Sequence, residues 1–118
     1  MSAPRNAIPP DPATRRAIRL FLKEIAPSYD IAGVILFGSR ARGDHRPDSD
    51  VDLALLLRGQ KSNPLPIVSH MAGIAADVML DTGILVEAWP IWLDDWEHPE
   101  RATNPDLVHN IRREGIAL

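Results

Sequence analysis

Apolar residues fall along this chain in two rhythms. Between Ala13 and Ala26 they recur at helical spacing, at Ala17, Ile18, Leu20, Phe21, Leu22 and Ile25. Asp11 or Thr14 stands where a helix cap belongs, and Pro27 closes the run. Two short runs follow, Ile31 to Phe37 and Val51 to Leu57, aliphatic and partly β-branched, with the length of buried strands. After the Asn63-Pro64 break, Ile67 to Leu80 returns to the helical rhythm and stops at Thr82-Gly83. Ile84 to Trp92 predicts a third strand, which Pro90 confines to a sheet edge or ends. Asp94-Asp95 can cap a short helical turn. A last helix opens at Asn104-Pro105 and ends at Gly115. The predicted order is α-β-β-α-β-α, an α+β class domain with helices packed on a small mixed β-sheet over residues 13–118. The proline-rich segment 1–12 is expected to be an extended leader.

The polar segment between the first two strands changes this picture. It spans thirteen residues from Gly38 to Asp50, long for a hairpin and rich in charge. Gly38 follows the strand directly, and Ser39 opens a short helical stretch, "SRAR". Glycine admits a ligand close to the backbone, and a helix start presents free N–H groups to an anion. Arg40, Arg42 and Arg46 can add charge-assisted contacts to phosphate. The competing reading is a plain Gly-Ser turn with a solvated arginine face.

Asp50 and Asp52 open the second strand. Residues two apart on a strand share a face at roughly 6.5–7 Å, so the two carboxylates can converge on one divalent ion. Hard oxygen donors of this kind suit Mg²⁺ or Mn²⁺. The same face continues as Ala54 and Leu56, and the other face is Val51, Leu53, Leu55 and Leu57, so the strand is central. A pair of carboxylates at its mouth repel each other unless a cation or solvent relieves them. The alternative is a solvated strand end.

"GSRARGDHRPDSDVDLAL" resembles the signature of the DNA polymerase beta-like nucleotidyltransferase superfamily, Gly-Ser and then Asp-x-Asp after ten residues. Within it the chain is most similar to the minimal nucleotidyltransferases, through Gly38, Ser39, Ala41, Arg42, Gly43, Ser49, Asp50, Asp52 and Leu53. The resemblance implies the nucleotidyltransferase fold and a metal-dependent transfer of a nucleoside monophosphate, AMP from ATP, with pyrophosphate leaving. It assigns the triphosphate to Gly38 and Ser39, with Arg40 and Arg42 beside them, and the Mg²⁺ or Mn²⁺ to Asp50 and Asp52.

The same family completes its metal site with a third acidic residue on a later strand. Glu87 in "GILVEAWPIW" is the candidate, on a strand face shared with Leu85, Trp89 and Ile91, where an unpaired carboxylate is expensive to bury. It is one methylene longer than the family's aspartate, and an edge-strand glutamate turned to solvent is the other reading. Asp77 and Asp81 fall before the strand.

The remaining composition mostly excludes. A net charge of −3 gives no field drawing the chain to nucleic acid, so direct nucleic-acid binding is not expected. With no cysteine there is no disulfide, thiolate zinc site or cysteine nucleophile. His70, His98 and His109 lack ligand spacing, and His45 reads as a solvated loop residue. Trp89, Trp92 and Trp96 are either core or a partner surface. Neither a signal-peptide core nor a membrane-spanning run is present, and a cytoplasmic location is expected.

The sheet and its helices are expected to use most of the 118 residues, so a separate acceptor-binding domain is not expected among them. The resemblance supplies a candidate acceptor, since minimal nucleotidyltransferases are paired with HEPN-type toxins and can attach AMP to a tyrosine of that partner. The expected function is therefore an antitoxin that modifies a HEPN-like toxin. The alternative is a catalytically weak antitoxin that neutralises its partner by contact alone. Transfer to a small molecule is disfavoured by the missing second domain.

Overall fold

The computed structural model describes Arg5–Asn6 and residues 11–118. Most of the expected leader, residues 1–4 and 7–10, lies outside the described residues. Helix α1 (Pro12–Ile25) begins one residue earlier than expected, with Pro12 at a position whose missing N–H is harmless. Asp11 caps it, accepting from Thr14 N at 3.4 Å and Thr14 Oγ1 at 2.5 Å. The buried stripe of α1 is Thr14, Ala17, Ile18, Phe21 and Ile25, the spacing that one helical face requires.

A 3₁₀ turn leads into β2 (Ile31–Phe37), which is followed at once by the one-turn helix α2 (Ser39–Arg42). β3 (Val51–Leu57), α3 (Leu65–Thr82) and β4 (Val86–Trp92) come next, then α4 (Leu93–Glu97), α5 (Pro105–Glu114) and the two-residue β5 (Ile116–Ala117). With β1 (Arg5–Asn6) these strands form one mixed sheet in the order β1-β5-β2-β3-β4. β2 runs antiparallel to both β3 and β5, whereas β3 and β4 are parallel and joined by α3 as a crossover. All six long elements stand in the predicted order, and the class is α+β. β5 escaped prediction because two residues carry no periodicity.

Two apolar layers fix the central strand. Leu53, Leu55 and Leu57 face α1 and α3, meeting Phe21, Ile25 and Met71; Ala54 and Leu56 face α5, meeting Val108 and Ile111. Leu53 and Leu55 are wholly buried, and each contributes about 1.5–3 kcal/mol by leaving water. Leu53→Ala alone would cost about 2–5 kcal/mol. β4 is an edge strand, as Pro90 demanded.

Trp96 lies in the second core beneath the Arg112 guanidinium, 4.6 Å from its ring centroid, and Trp92 packs on the first. No helix among the described residues is long and apolar enough to cross a membrane.

Candidate active site

The end of β2 makes an abrupt turn. Gly38 adopts φ 76° and ψ −158°, a conformation that L side chains rarely adopt. Its carbonyl accepts from Ala41 N and Arg42 N, both at 3.1 Å, which starts α2 immediately. A second reason for glycine is contact: a Cβ at position 38 would collide with Asp52 Oδ2. The phosphate-type turn and the strand-borne carboxylate are thus packed directly on each other. α2 ends after one turn at Gly43, whose N–H bonds Ser39 O at 2.9 Å in the left-handed region.

Register places the acidic residues. Asp52 stands opposite Phe37 on one side and Glu87 on the other, so one row across three strands reads Phe37, Asp52, Glu87. Neighbouring strands lie about 4.8 Å apart, which brings the two carboxylates within easy reach. Asp50 is exposed and ends the loop just before β3, whose bounds are those expected.

The Asp52 carboxyl is pushed up to about 6, first by its half-burial and then by the negative charge of Glu87. The charge of Asp50 acts in the same direction, as does the hydrogen bond that protonated Asp52 donates to Glu87. The Trp89 indole N–H opposes them. That N–H is buried and lacks a partner at full hydrogen-bond geometry, so we read it as a nearby dipole rather than a formed bond. Phe37 and Trp89 close the row on this face, edge to face at 6.2 Å between centroids.

A cavity of about 500 Å³ opens along β4, lined by Asp50 and Glu87 at its acidic positions and by Val68, Ala75, Leu85 and Trp89 elsewhere. Glu87 is exposed at this lining, in keeping with the solvent-turned reading of an edge glutamate. Among the described residues no three acidic, histidine or cysteine side chains are gathered tightly enough to form a ready-made metal cage. The donor chemistry nevertheless fits a divalent cation. Asp52 and Glu87 are carboxylates in register on neighbouring strands with the Asp50 charge beside them, and a hard cation relieves their mutual repulsion. Phosphate oxygens would complete the coordination, as small Mg²⁺ sites require.

Gly38 packs on Asp52, Glu87 stands in register beside it, and the charge of Asp50 acts on the same carboxyl. Arg40 does not follow the expectation of a phosphate contact. It is 4% exposed, and its guanidinium donates to Ser49 O at 2.8 and 3.0 Å, Pro47 O at 3.0 Å and Thr14 Oγ1 at 2.9 Å. Those donors are spent on the protein. Arg42 is half-exposed and pairs with Asp44 at 3.2 Å and Glu114 at 3.7 Å. His45 is not simply solvated: it meets Asp11 at 3.2 Å. Burial works against ionisation of Asp11, yet the Thr14 hydrogen bonds and the His45 and Arg40 charges hold its carboxyl below the usual range. Thr14, read from the sequence only as a possible cap, and Trp89, read as core or partner surface, were not linked to the site. Neither carries a spacing signal, because both matter through partners distant in the chain.

A one-turn Gly-Ser element is thus set on a carboxylate, with a second carboxylate in register on the next parallel strand. The family model described as "Polymerase beta, Nucleotidyltransferase" matches residues 21–87, and the chain belongs to that family. The matched span contains Gly38, Ser39, Asp50 and Asp52 and ends on Glu87. A solved structure from Sulfolobus solfataricus, provisionally assigned as a nucleotidyltransferase, is similar at 22% identity. That likeness covers 73% of this chain and 78% of the other, with a TM-score of 0.37, and no conclusion is drawn from it. A search of curated proteins found no match.

Proposed function

We propose that the chain is a metal-dependent nucleotidyltransferase that moves AMP from ATP to a hydroxyl, a tyrosine of a HEPN-like toxin, and thereby acts as its antitoxin. The observation that carries this reading is the contact of Gly38 with the Asp52 carboxylate, in register with Glu87. A triphosphate on the Gly38-Ser39 turn would lie beside these carboxylates. Asp50 and Asp52 would hold Mg²⁺ or Mn²⁺, with Glu87 as third carboxylate. Such a cation would neutralise triphosphate charge and polarise the phosphate oxygens.

The chain's own part is alignment and proton movement. Glu87, exposed on the lining of the cavity, accepts the proton of the acceptor hydroxyl. The acceptor oxygen forms its bond to the α-phosphorus as the bridging oxygen toward the β-phosphorus departs with its electron pair, giving pyrophosphate. Transfers of this type need charge stabilisation and positioning more than covalent help.

Incubation with ATP, Mg²⁺ and the HEPN-like partner tests the reading. A mass increase of one AMP on the partner is expected, lost in Asp50→Ala with Asp52→Ala. An unmodified partner with the unaltered protein contradicts it. A second reading, neutralisation by contact alone, is favoured by the absence of a preformed three-ligand cage among the described residues. The same double substitution separates the two, because contact alone predicts that the variant still neutralises.

A further inference from the structure

We infer that Arg40 is a positioning residue whose buried guanidinium ties the 46–49 turn to α1 and so fixes where Asp50 stands. This rests on the nucleotidyl-transfer reading of the site. Asp50 is exposed and lies outside β3, so its backbone must be held from either side. On one side Val51 N donates to Leu85 O at 2.9 Å, just ahead of the β3–β4 pairing. On the other, Ser49 O accepts twice from Arg40, from Nε and Nη2.

Arg40 reaches further into the same turn through Pro47 O and, at 3.5 Å, Arg46 O. The turn is closed internally by Ser49 N to Arg46 O at 3.0 Å and Arg46 N to Ser49 Oγ at 2.9 Å. Nη1 anchors the whole assembly to Thr14 Oγ1, and Thr14 is itself held by Asp11. A planar fork bonding several carbonyls is something lysine cannot reproduce. Carbonyl dipoles compensate a buried charge less well than a carboxylate does, so the group is an expensive way merely to fill space.

Arg40→Lys keeps the charge and loses the fork; Thr14→Val leaves the fork and removes the anchor together with the Thr14 hydroxyl bond to Asp11. Amide exchange over residues 46–51 reads the clamp without reference to catalysis, and faster exchange is expected in both variants. Mn²⁺ binding in the presence of ATP, followed by electron paramagnetic resonance, is expected to weaken about 10- to 100-fold in Arg40→Lys and less in Thr14→Val. kcat for transfer should fall with it while KM for the acceptor holds. Ile25→Val, in the core of α1, serves as the control that lowers the melting midpoint without moving Mn²⁺ affinity.

Should Arg40→Lys fail to fold, Thr14→Val carries the same three readouts. Unchanged exchange over 46–51 overturns the clamp. Faster exchange with unchanged Mn²⁺ affinity and kcat overturns its role in positioning Asp50. Absence of Mn²⁺ binding and transfer in the unaltered protein overturns the nucleotidyl-transfer reading instead, while the exchange result still judges the clamp.

Discussion

The two flanks of the carboxylate row are built differently. On the β2 side everything is fixed: Gly38 is pressed onto Asp52, Arg40 is buried, and the turn before Asp50 is bonded from within and without. On the β4 side Glu87 is exposed, its strand is the sheet edge, and a cavity of about 500 Å³ lies against it. The lesson is a division between a rigid half and an open half, which under the proposed function would serve the constant nucleotide and the variable acceptor respectively. Pre-organised groups serve best where the ligand never changes.

Breaking the rigid half should have the largest effect. Gly38→Ala forces a Cβ into the Asp52 carboxylate at a strained φ, and should destabilise the fold by about 1–3 kcal/mol. Loss of Mn²⁺ and ATP binding should accompany the fall in melting midpoint. The open half should respond in the opposite way. Glu87→Ala should leave stability within about 0.5 kcal/mol, as an exposed edge substitution, but reduce transfer about 10²- to 10⁴-fold. Single-turnover measurement of AMP transfer checks this, and Glu87→Asp asks whether the shorter side chain still reaches.

The pH dependence of the row comes next in size. Asp52 titrates near 6 in the folded protein against 3.8 ordinarily, so the folded state holds its proton more tightly. Without metal, the Asp52 contribution to stability is therefore fully present below about 3.8 and is lost as pH rises through about 6. Asp52→Asn removes that slope. It should melt above the unaltered protein at pH 8, by no more than about 1 kcal/mol because half the group is solvated, and show no such gain at pH 4. Adding Mg²⁺ should reverse the order at pH 8. The smallest effect belongs to Arg42→Ala, whose exposed pairs with Asp44 and Glu114 contribute about 0–1 kcal/mol. A several-fold rise in KM for ATP would show that Arg42 turns to the triphosphate when it binds.

The rigid half was also the more legible in sequence. Gly38, Ser39, Asp50 and Asp52 sit in one contiguous motif, and strand alternation around Ala54 and Leu56 showed which face they share. The open half was legible only as an apolar strand with one misplaced glutamate and a proline. What the sequence could not show is pairing across the chain. Arg40 looks like any motif arginine until Thr14 and Ser49 are brought to it, and Asp52 becomes hard to ionise only once folding half-buries it and sets Glu87 in register beside it. β5 remained hidden for a related reason, since two residues next to Gly115 become a strand only by lying along β2.

The central claim is AMP transfer at this row of carboxylates. It is tested most directly by supplying ATP labelled at the α-phosphate, and in parallel at the γ-phosphate, with Mg²⁺ and the HEPN-like partner. The account predicts that the partner acquires the α label, that the γ label leaves in pyrophosphate, and that Asp52→Asn abolishes both. Transfer of the γ label, or no label on the partner while the unaltered protein still neutralises it, would contradict the account.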